Sequence, residues 1–175
     1  MTTFEALIKN RRSIRKYLDK PVETEKVDAI LRTALMSPAS KRANGWEFIV
    51  VDQRDTLVKL ASCREFGSKF VADAPLAIVV AYDAEKSDVW YEDASIAAII
   101  IQLAAADLEL GSCWVQVHNR AYNETTTSEA YVRNILQIPD NKHVLCMITL
   151  GYKDEERKPY DEEKLAYDKI HYNQY

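Results

Sequence analysis

Glycine and proline are scarce in this 175-residue sequence, at 4 and 5 residues. That scarcity excludes a long flexible linker. Cysteine numbers only 3, at positions 63, 113 and 146, an odd count with no paired short spacing. Neither a disulfide framework nor a zinc site follows from it, and a reducing cytoplasm is the expected home. The opening Met-Thr-Thr-Phe-Glu has no apolar signal region. The most apolar run, Ala94 to Ala106, is too short for a membrane span, and Glu92, Asp93 and Asp107 bracket it. No Gly-x-Gly-x-x-Gly, Walker-type loop or His-Glu-x-x-His occurs. His118, His143 and His171 have no partner at ligand spacing, so surface or capping roles are expected and no metal. Cys113 lies in an apolar stretch and reads as a buried, inert thiol. Glu92-Asp93 reads as a carboxylate pair beside a helix N-terminus. No residue set looks like a self-sufficient catalyst, so in an enzyme a cofactor would carry the hard step.

What is present begins with a basic stretch, Lys9-Asn10-Arg11-Arg12-Ser13-Ile14-Arg15-Lys16-Tyr17. It leaves a short apolar-periodic segment, Phe4 to Ile8, and runs to a turn at Asp19-Lys20-Pro21. Guanidinium groups and a serine hydroxyl there could hold a phosphate. A solvated basic patch and a nucleic-acid contact are the other readings. The net charge of −4 weakens the last, because nothing downstream extends the patch. Apolar residues at 47% and charged residues at 29% are ordinary for a globular protein.

Further along, Val22 to Met36 reads as an amphipathic helix with Thr24 as N-cap and Pro38 as its stop. Val27, Ile30, Leu31, Ala34 and Leu35 form its buried stripe. Ser37 to Trp46, small and polar until the tryptophan, is a loop, and Glu47 to Val51 a short strand. Asp52 to Ser62 is a surface helix with Leu57 and Leu60 facing in. Phe66 to Ala72 is irregular or helical, and Leu76 to Ala81 is a strand buried on both faces. Asp88 to Leu110 is the longest helix signal, apolar nearly all round between Ala94 and Ala106. Its alanines would let another helix approach, either across a subunit interface or inside one core. Gly111 reads as its stop. Ser112 to His118 is strand-like, Thr127 or Ser128 caps a helix to Leu136, and Val144 to Leu150 is another buried strand. Residues 153–175 form a charged extension whose tyrosines should pack on this domain or on another subunit. The expected class is α+β, or a mixed α/β sandwich: a sheet flanked by helices around a long central apolar helix, in a single domain spanning 1–175.

Five blocks, in order along the chain, resemble the FMN-dependent nitroreductases. Arg11-Arg12-Ser13-Ile14-Arg15-Lys16-Tyr17 is similar to that family's Arg-Arg-Ser-x-Arg-x-aromatic signature. Ser37-Pro38-Ala39-Ser40 through Trp46-Glu47-Phe48-Ile49-Val50-Val51 resembles its Ser-Pro-Ser loop and Trp-x-Phe strand entry. Asp73 to Val80 is similar to its Ala-Pro strand. Glu109-Leu110-Gly111-Ser112-Cys113-Trp114 is similar to the turn after its central helix. Leu150-Gly151-Tyr152 resembles the end of its last core strand.

The resemblance implies a homodimer with two FMN molecules between subunits and the long helix at the interface. It implies that Arg11 and Ser13 hold the FMN phosphate, with Arg12 and Arg15 by the ribityl chain and the pyrimidine edge. Ala39, Ser40 and Arg42 would reach the flavin from the other subunit. Trp114, Val115, Gln116 and Val117 would pass the ring, with backbone near N5. Arg157 or Lys158 would return to the phosphate. Ser68 is the candidate for a ring contact that the family makes with an asparagine. Arg42 stands where asparagine is common, and Asn44-Gly45 where Gln-Pro is usual. The chain lacks most of the insertion that covers the site in larger members, which implies an open pocket. The implied activity is NAD(P)H oxidation coupled to reduction of a nitroaromatic, quinone or similar small acceptor, by a ping-pong cycle. A flavin-binding protein that stores, senses or breaks down flavin is the alternative, and a basic-armed interaction protein the third.

Overall fold

Eight consecutive buried residues, Leu76–Asp83, form the central strand β2 of a computed structural model that describes residues 3–175. Alternate residues of a strand face opposite sides. Ile78, Val80 and Tyr82 therefore enter one core, while Ala77, Val79 and Ala81 enter another. An unbroken apolar run is what such a doubly covered strand requires. β2 pairs antiparallel with β1 (Trp46–Val51) and with β4 (Lys142–Gly151), and β4 pairs antiparallel with β3 (Gly111–Gln116). The sheet order is β1-β2-β4-β3, which leaves β3 as an edge. The fold class is α+β, as expected.

Helices cover both faces. On one side lie α2 (Thr24–Ala34) and α4 (Trp90–Asp107), joined to the sheet through Ile30, Ala34, Ala94, Ala98, Ile101 and Ala105. On the other lie α3 (Arg54–Ala61) and α5 (Ser128–Leu136), with Leu57, Leu60 and Val132 inward. α1 (Phe4–Asn10) is short and has no buried residue. Among the described residues no helix is long and apolar enough to cross a membrane.

Three local expectations need correction. Thr24 is the first helical residue of α2 rather than its cap; Glu23 holds the N-cap position and makes no side-chain cap. The Glu23 carboxylate is occupied by the Tyr152 hydroxyl at 2.7 Å and by Lys20 at 3.4 Å. α2 ends at Ala34, well before Pro38. Gly111 does not stop α4: Glu109 takes the left-handed turn at φ 65°, and Gly111 begins β3.

α4 is apolar nearly all round, yet its two sides differ. Ala94, Ala97, Ala98 and Ala105 are buried in the chain's own core. Its outward side carries Ile96 and Ile99, still 36% and 38% exposed. The alanines thus admit α2 and the sheet, together with buried Trp90 and Ile101, while Ile96 and Ile99 face away from them. Thr127 caps α5, its hydroxyl accepting from the Ala130 N–H at 3.1 Å.

The extension beyond Lys153 touches α1 at a few points. Tyr160 N–H donates to Lys9 O at 2.9 Å, and Lys9 pairs with Glu162. Past these contacts Tyr167, Ile170, Tyr172 and Tyr175 remain exposed.

Candidate functional site

The basic stretch is positioned by its own apolar residues. The chain leaves α1 in an extended conformation at Arg11. Ile14 N–H then donates to Ser112 O at 2.9 Å, and Ser13 pairs with Ser112 across a parallel bridge. Gly111 permits this approach: a Cβ there would lie 2.8 Å from Ile14 Cγ2. Ile14 and Tyr17 are buried, and the Tyr17 hydroxyl donates to Ile14 O at 2.6 Å. With those two side chains inside, the arginines are left on the outer side.

Arg11, Arg12 and Arg157 line one cavity of about 880 Å³ at the C-terminal end of α4, walled by Ala106, Leu110 and Ser112. Arg12 is tied to the extension. Its guanidinium donates to Lys158 O and lies 4.6 Å from the centroid of the Tyr160 ring. Arg157 pairs with Glu155 at 2.6 Å. Glu155 also accepts the N–H groups of Arg15 at 2.5 Å and Lys16 at 3.2 Å. The Arg15 N–H first, and the Arg157 charge after it, hold the Glu155 carboxyl below its ordinary range. Among the described residues the Arg11 side chain has no hydrogen bond or ion pair of its own. The cavity wall also carries Lys153 and the carboxylates of Glu109, Asp154, Glu155 and Glu156. With Glu155 engaged by Arg157 and by backbone N–H groups, the Arg11 guanidinium is the unengaged group left to meet an anion.

Arg15 is exposed, with its guanidinium 5.8 Å from the Phe70 ring centroid. The Lys158 side chain is exposed too, and only its carbonyl is engaged. Ser68 is placed elsewhere. It is fully buried, and its hydroxyl donates to Ala61 O at 2.7 Å, closing the end of α3. It therefore does not face the cavity.

β3 contributes backbone. Because Ser112 O faces Ile14, the alternation of an antiparallel strand turns the N–H and C=O groups of Trp114 and Gln116 to the same open edge. Val115 and Val117 bury their side chains completely in the opposite core. Trp114 Nε1 donates to Gln116 Oε1 at 2.9 Å, and Gln116 Nε2 to His118 O at 2.9 Å, which fixes both side chains. Cys113 is buried, and burial pushes its thiol upward, against the pull of Arg15 and Ser13.

The loop with Ala39, Ser40 and Arg42 lies at the other end of α4. Ser40 N–H donates to Asp93 Oδ1 at 2.8 Å. Lys41, Arg42 and Asn44 all have positive φ, at 51°, 56° and 46°. Side chains rarely adopt that region, and such clusters are held where surrounding structure demands them. Asp93 and Ala106 are separated by about 20 Å of helix axis. One copy of the chain thus keeps the loop and the arginine cavity well apart.

One grouping lay outside the reach of sequence spacing. His118 Nδ1 is 3.1 Å from Glu129 Oε2, and His143 Nδ1 is 2.8 Å from Glu129 Oε1. The residues come from the segment just after β3, the first turn of α5 and the start of β4.

The Nitroreductase family pattern matches residues 8–65 and 58–152. The chain belongs to the nitroreductase family. An FMN-dependent nitroreductase from Clostridium difficile R20291 shares 51% identity with it and superposes with a TM-score of 0.95, over 97% of this chain and 98% of that one. An Archaeoglobus fulgidus protein assigned as an NADH dehydrogenase/NAD(P)H nitroreductase is 35% identical over 170 residues, 94% of each chain. The NADH dehydrogenase of Thermus thermophilus is 29% identical over 179 residues, covering 85% of this chain and 86% of that one. A nitroreductase-family oxidoreductase is the activity class these relatives support.

Proposed function

We propose that this nitroreductase-family member is a single-domain, cytoplasmic, homodimeric FMN enzyme that oxidises NAD(P)H. A nitroaromatic, quinone or similar small acceptor would use the same pocket in the second half of the cycle. The observation that carries the reading is the cavity walled by Arg11, Arg12 and Arg157. Its volume suits a cofactor-sized ligand, and its donor set suits a phosphate. The C. difficile relative, named as FMN-dependent, supports the same choice.

Bound FMN would supply a ring that accepts and returns hydride, so no side-chain nucleophile or base is demanded of the protein. Arg11 and Ser13 hold the phosphate end, with Arg157 closing over it from the extension. Arg12 anchors that extension through Lys158 O. Arg15, exposed and outside the cavity wall, would turn its guanidinium toward the ring, where it would favour negative charge. The outward N–H groups of Trp114 and Gln116 are the backbone donors available to the ring edge. Val115 and Val117 act only by locking the strand that presents them.

The homodimer in this reading rests on the loop contacting the same flavin, taken together with the distance along α4. The loop bearing Ala39, Ser40 and Arg42 cannot reach the arginine cavity of its own chain. A second copy packed antiparallel along the outward face of α4 brings the start of one helix beside the end of the other. Ile96 and Ile99 are the large apolar residues such a contact buries.

The test is the visible spectrum of the purified protein, after reconstitution with FMN, before and after anaerobic NADH or NADPH. Flavin bands that bleach support the reductase. Bands that persist leave a flavin-binding protein without nicotinamide turnover. Failure to take up FMN overturns the reading.

A further inference from the structure

We propose that His118, Glu129 and His143 form a binding site for a divalent transition-metal ion of the zinc class. The ligands would be the two imidazole Nδ1 atoms and the Glu129 carboxylate, with a water in the fourth position. The proposal does not rest on the flavin reading, because none of the three residues lines the arginine cavity.

Three observations carry it. The first is convergence. One candidate ligand atom from each residue lies within 4.8 Å of the others; His118 Nδ1 is 3.1 Å from Glu129 Oε2, and His143 Nδ1 is 2.8 Å from the other carboxylate oxygen, Oε1. Zinc held by nitrogen and oxygen at its usual bond lengths needs ligand atoms about 3.3–3.5 Å apart. Separations of at most 4.8 Å are brought to that spacing by side-chain rotation, with either one Glu129 oxygen or both facing the ion. Two histidines and a glutamate with one open position is also a ligand set that zinc accepts.

The second is pre-organisation. The ligands sit on three elements that pack together without the ion. Glu129 is fixed by accepting the Val144 N–H at 3.1 Å, an outer contact of the kind that orients metal-binding carboxylates. The His143 ring stacks on Trp90 with centroids 5.0 Å apart, and the His118 ring meets Trp90 edge-on, also at 5.0 Å. Aromatic walls on both imidazoles restrict their rotation before any ion arrives.

The third is an unsettled proton. His118 Nε2 is buried and has no hydrogen-bond partner among the described residues. If Nδ1 donates to Glu129, the neutral ring leaves a bare lone pair at that buried Nε2. If Nδ1 instead binds a metal, Nε2 carries the hydrogen, and it can point at the faces of Trp90 or Tyr91, whose centroids lie 5.0 Å and 4.8 Å from the imidazole centre. Metal binding at Nδ1 leaves Nε2 with its hydrogen, as an imidazolium paired with Glu129 also would, and so removes the bare lone pair of the neutral hydrogen-bonded ring. Burial of the site is incomplete: side-chain exposures are 12%, 13% and 41% for His118, Glu129 and His143. His143 marks the side from which an ion and its water enter.

The experiment uses untagged full-length protein, loaded with FMN if it takes up flavin and stripped of metal by chelator. Cobalt(II) is titrated and followed by its visible d–d absorption, then displaced with zinc(II). The expected result is one cobalt per chain with the intense spectrum of a four-coordinate site, displaced stoichiometrically by zinc. His143→Gln, at the most exposed ligand, should fold normally and weaken binding by more than the ~10–100-fold typical of an outer-contact change. Glu129→Gln should do the same. His171→Gln, which alters the remaining histidine, should leave binding unchanged. No cobalt spectrum in the wild-type protein would overturn the proposal, as would a spectrum that survives both His143→Gln and Glu129→Gln. Loss with His171→Gln would place the ion on the C-terminal extension and overturn it equally.

Discussion

Asp93 accepts the backbone N–H of Ser40 at 2.8 Å. A buried carboxylate in the first turn of α4 therefore holds the polar loop that precedes β1. Its other oxygen accepts the hydroxyl of fully buried Tyr82, also at 2.8 Å. Burial, with the Asp93 carboxylate second, pushes the Tyr82 phenol above its ordinary range. Asp93 thus joins the loop, the sheet and the long helix at one point.

Asp93→Ala is expected to cost about 2–4 kcal/mol, since it leaves a buried hydroxyl and a backbone N–H without partners. Adding Tyr82→Phe to it should recover part of that loss, because the orphaned hydroxyl is then gone. Urea unfolding of the two variants and the wild type checks this. A double variant less stable than Asp93→Ala would show that the Tyr82 hydroxyl has another partner.

Arg11→Ala should leave thermal stability within ~0.5 kcal/mol of wild type, because a surface side chain with no fixed partner contributes little to folding. FMN affinity should fall by roughly 10–100-fold, the equivalent of about 1.5–3 kcal/mol for a lost charge-assisted hydrogen bond. Fluorescence titration with FMN measures it. Unchanged affinity would remove Arg11 from the phosphate site. Arg12→Ala is expected to behave differently and to loosen the extension as well, since Arg12 holds Lys158 O and Tyr160.

Ile99→Asp should convert a dimer to a monomer without disturbing the fold, because Ile99 lies on the outward side of α4. Analytical ultracentrifugation and far-ultraviolet circular dichroism read the two effects separately. FMN should be lost with the dimer if the Ala39–Arg42 loop completes the site across subunits. A variant that stays dimeric would move the interface elsewhere. Substituting Ala98 would not test the interface, because Ala98 is fully buried in its own core.

Glu23 gives a pH dependence. The Tyr152 hydroxyl first, and Lys20 after the local backbone, lower its pKa from 4.5 to about 2. A carboxyl depressed in the folded state stabilises it above the unfolded value, and that contribution disappears as the pH falls through the folded one. The difference in melting temperature between wild type and Glu23→Gln should therefore be constant above about pH 5.5 and shrink from about pH 4.5 toward pH 2. A difference that stays constant across that window would show that the Tyr152 contact does not favour the ionised form.

Much of the fold was legible in the chain because it depends on periodicity. Leu76 to Ala81 had to be a covered strand, and Leu57 and Leu60 had to face inward, since burial on a fixed repeat is a local property of the sequence. The family blocks were legible for a related reason: the arginine segment and the Gly111 turn each act over a few consecutive residues. Boundaries were harder. Glu23, not Thr24, holds the cap position, and its carboxylate makes no cap because Tyr152, far along the chain, occupies it.

What the sequence determined by itself was the class and the order of elements. What only tertiary structure decided was which side chains meet. The sequence could not show that the alanines of α4 line the chain's own core while Ile96 and Ile99 face outward, because a helix apolar all round carries no directional signal. It could not show that Ser68 is sealed inside, nor that His118, Glu129 and His143 converge. Those contacts join residues distant in sequence, and they exist because β3, α5 and β4 pack around one core.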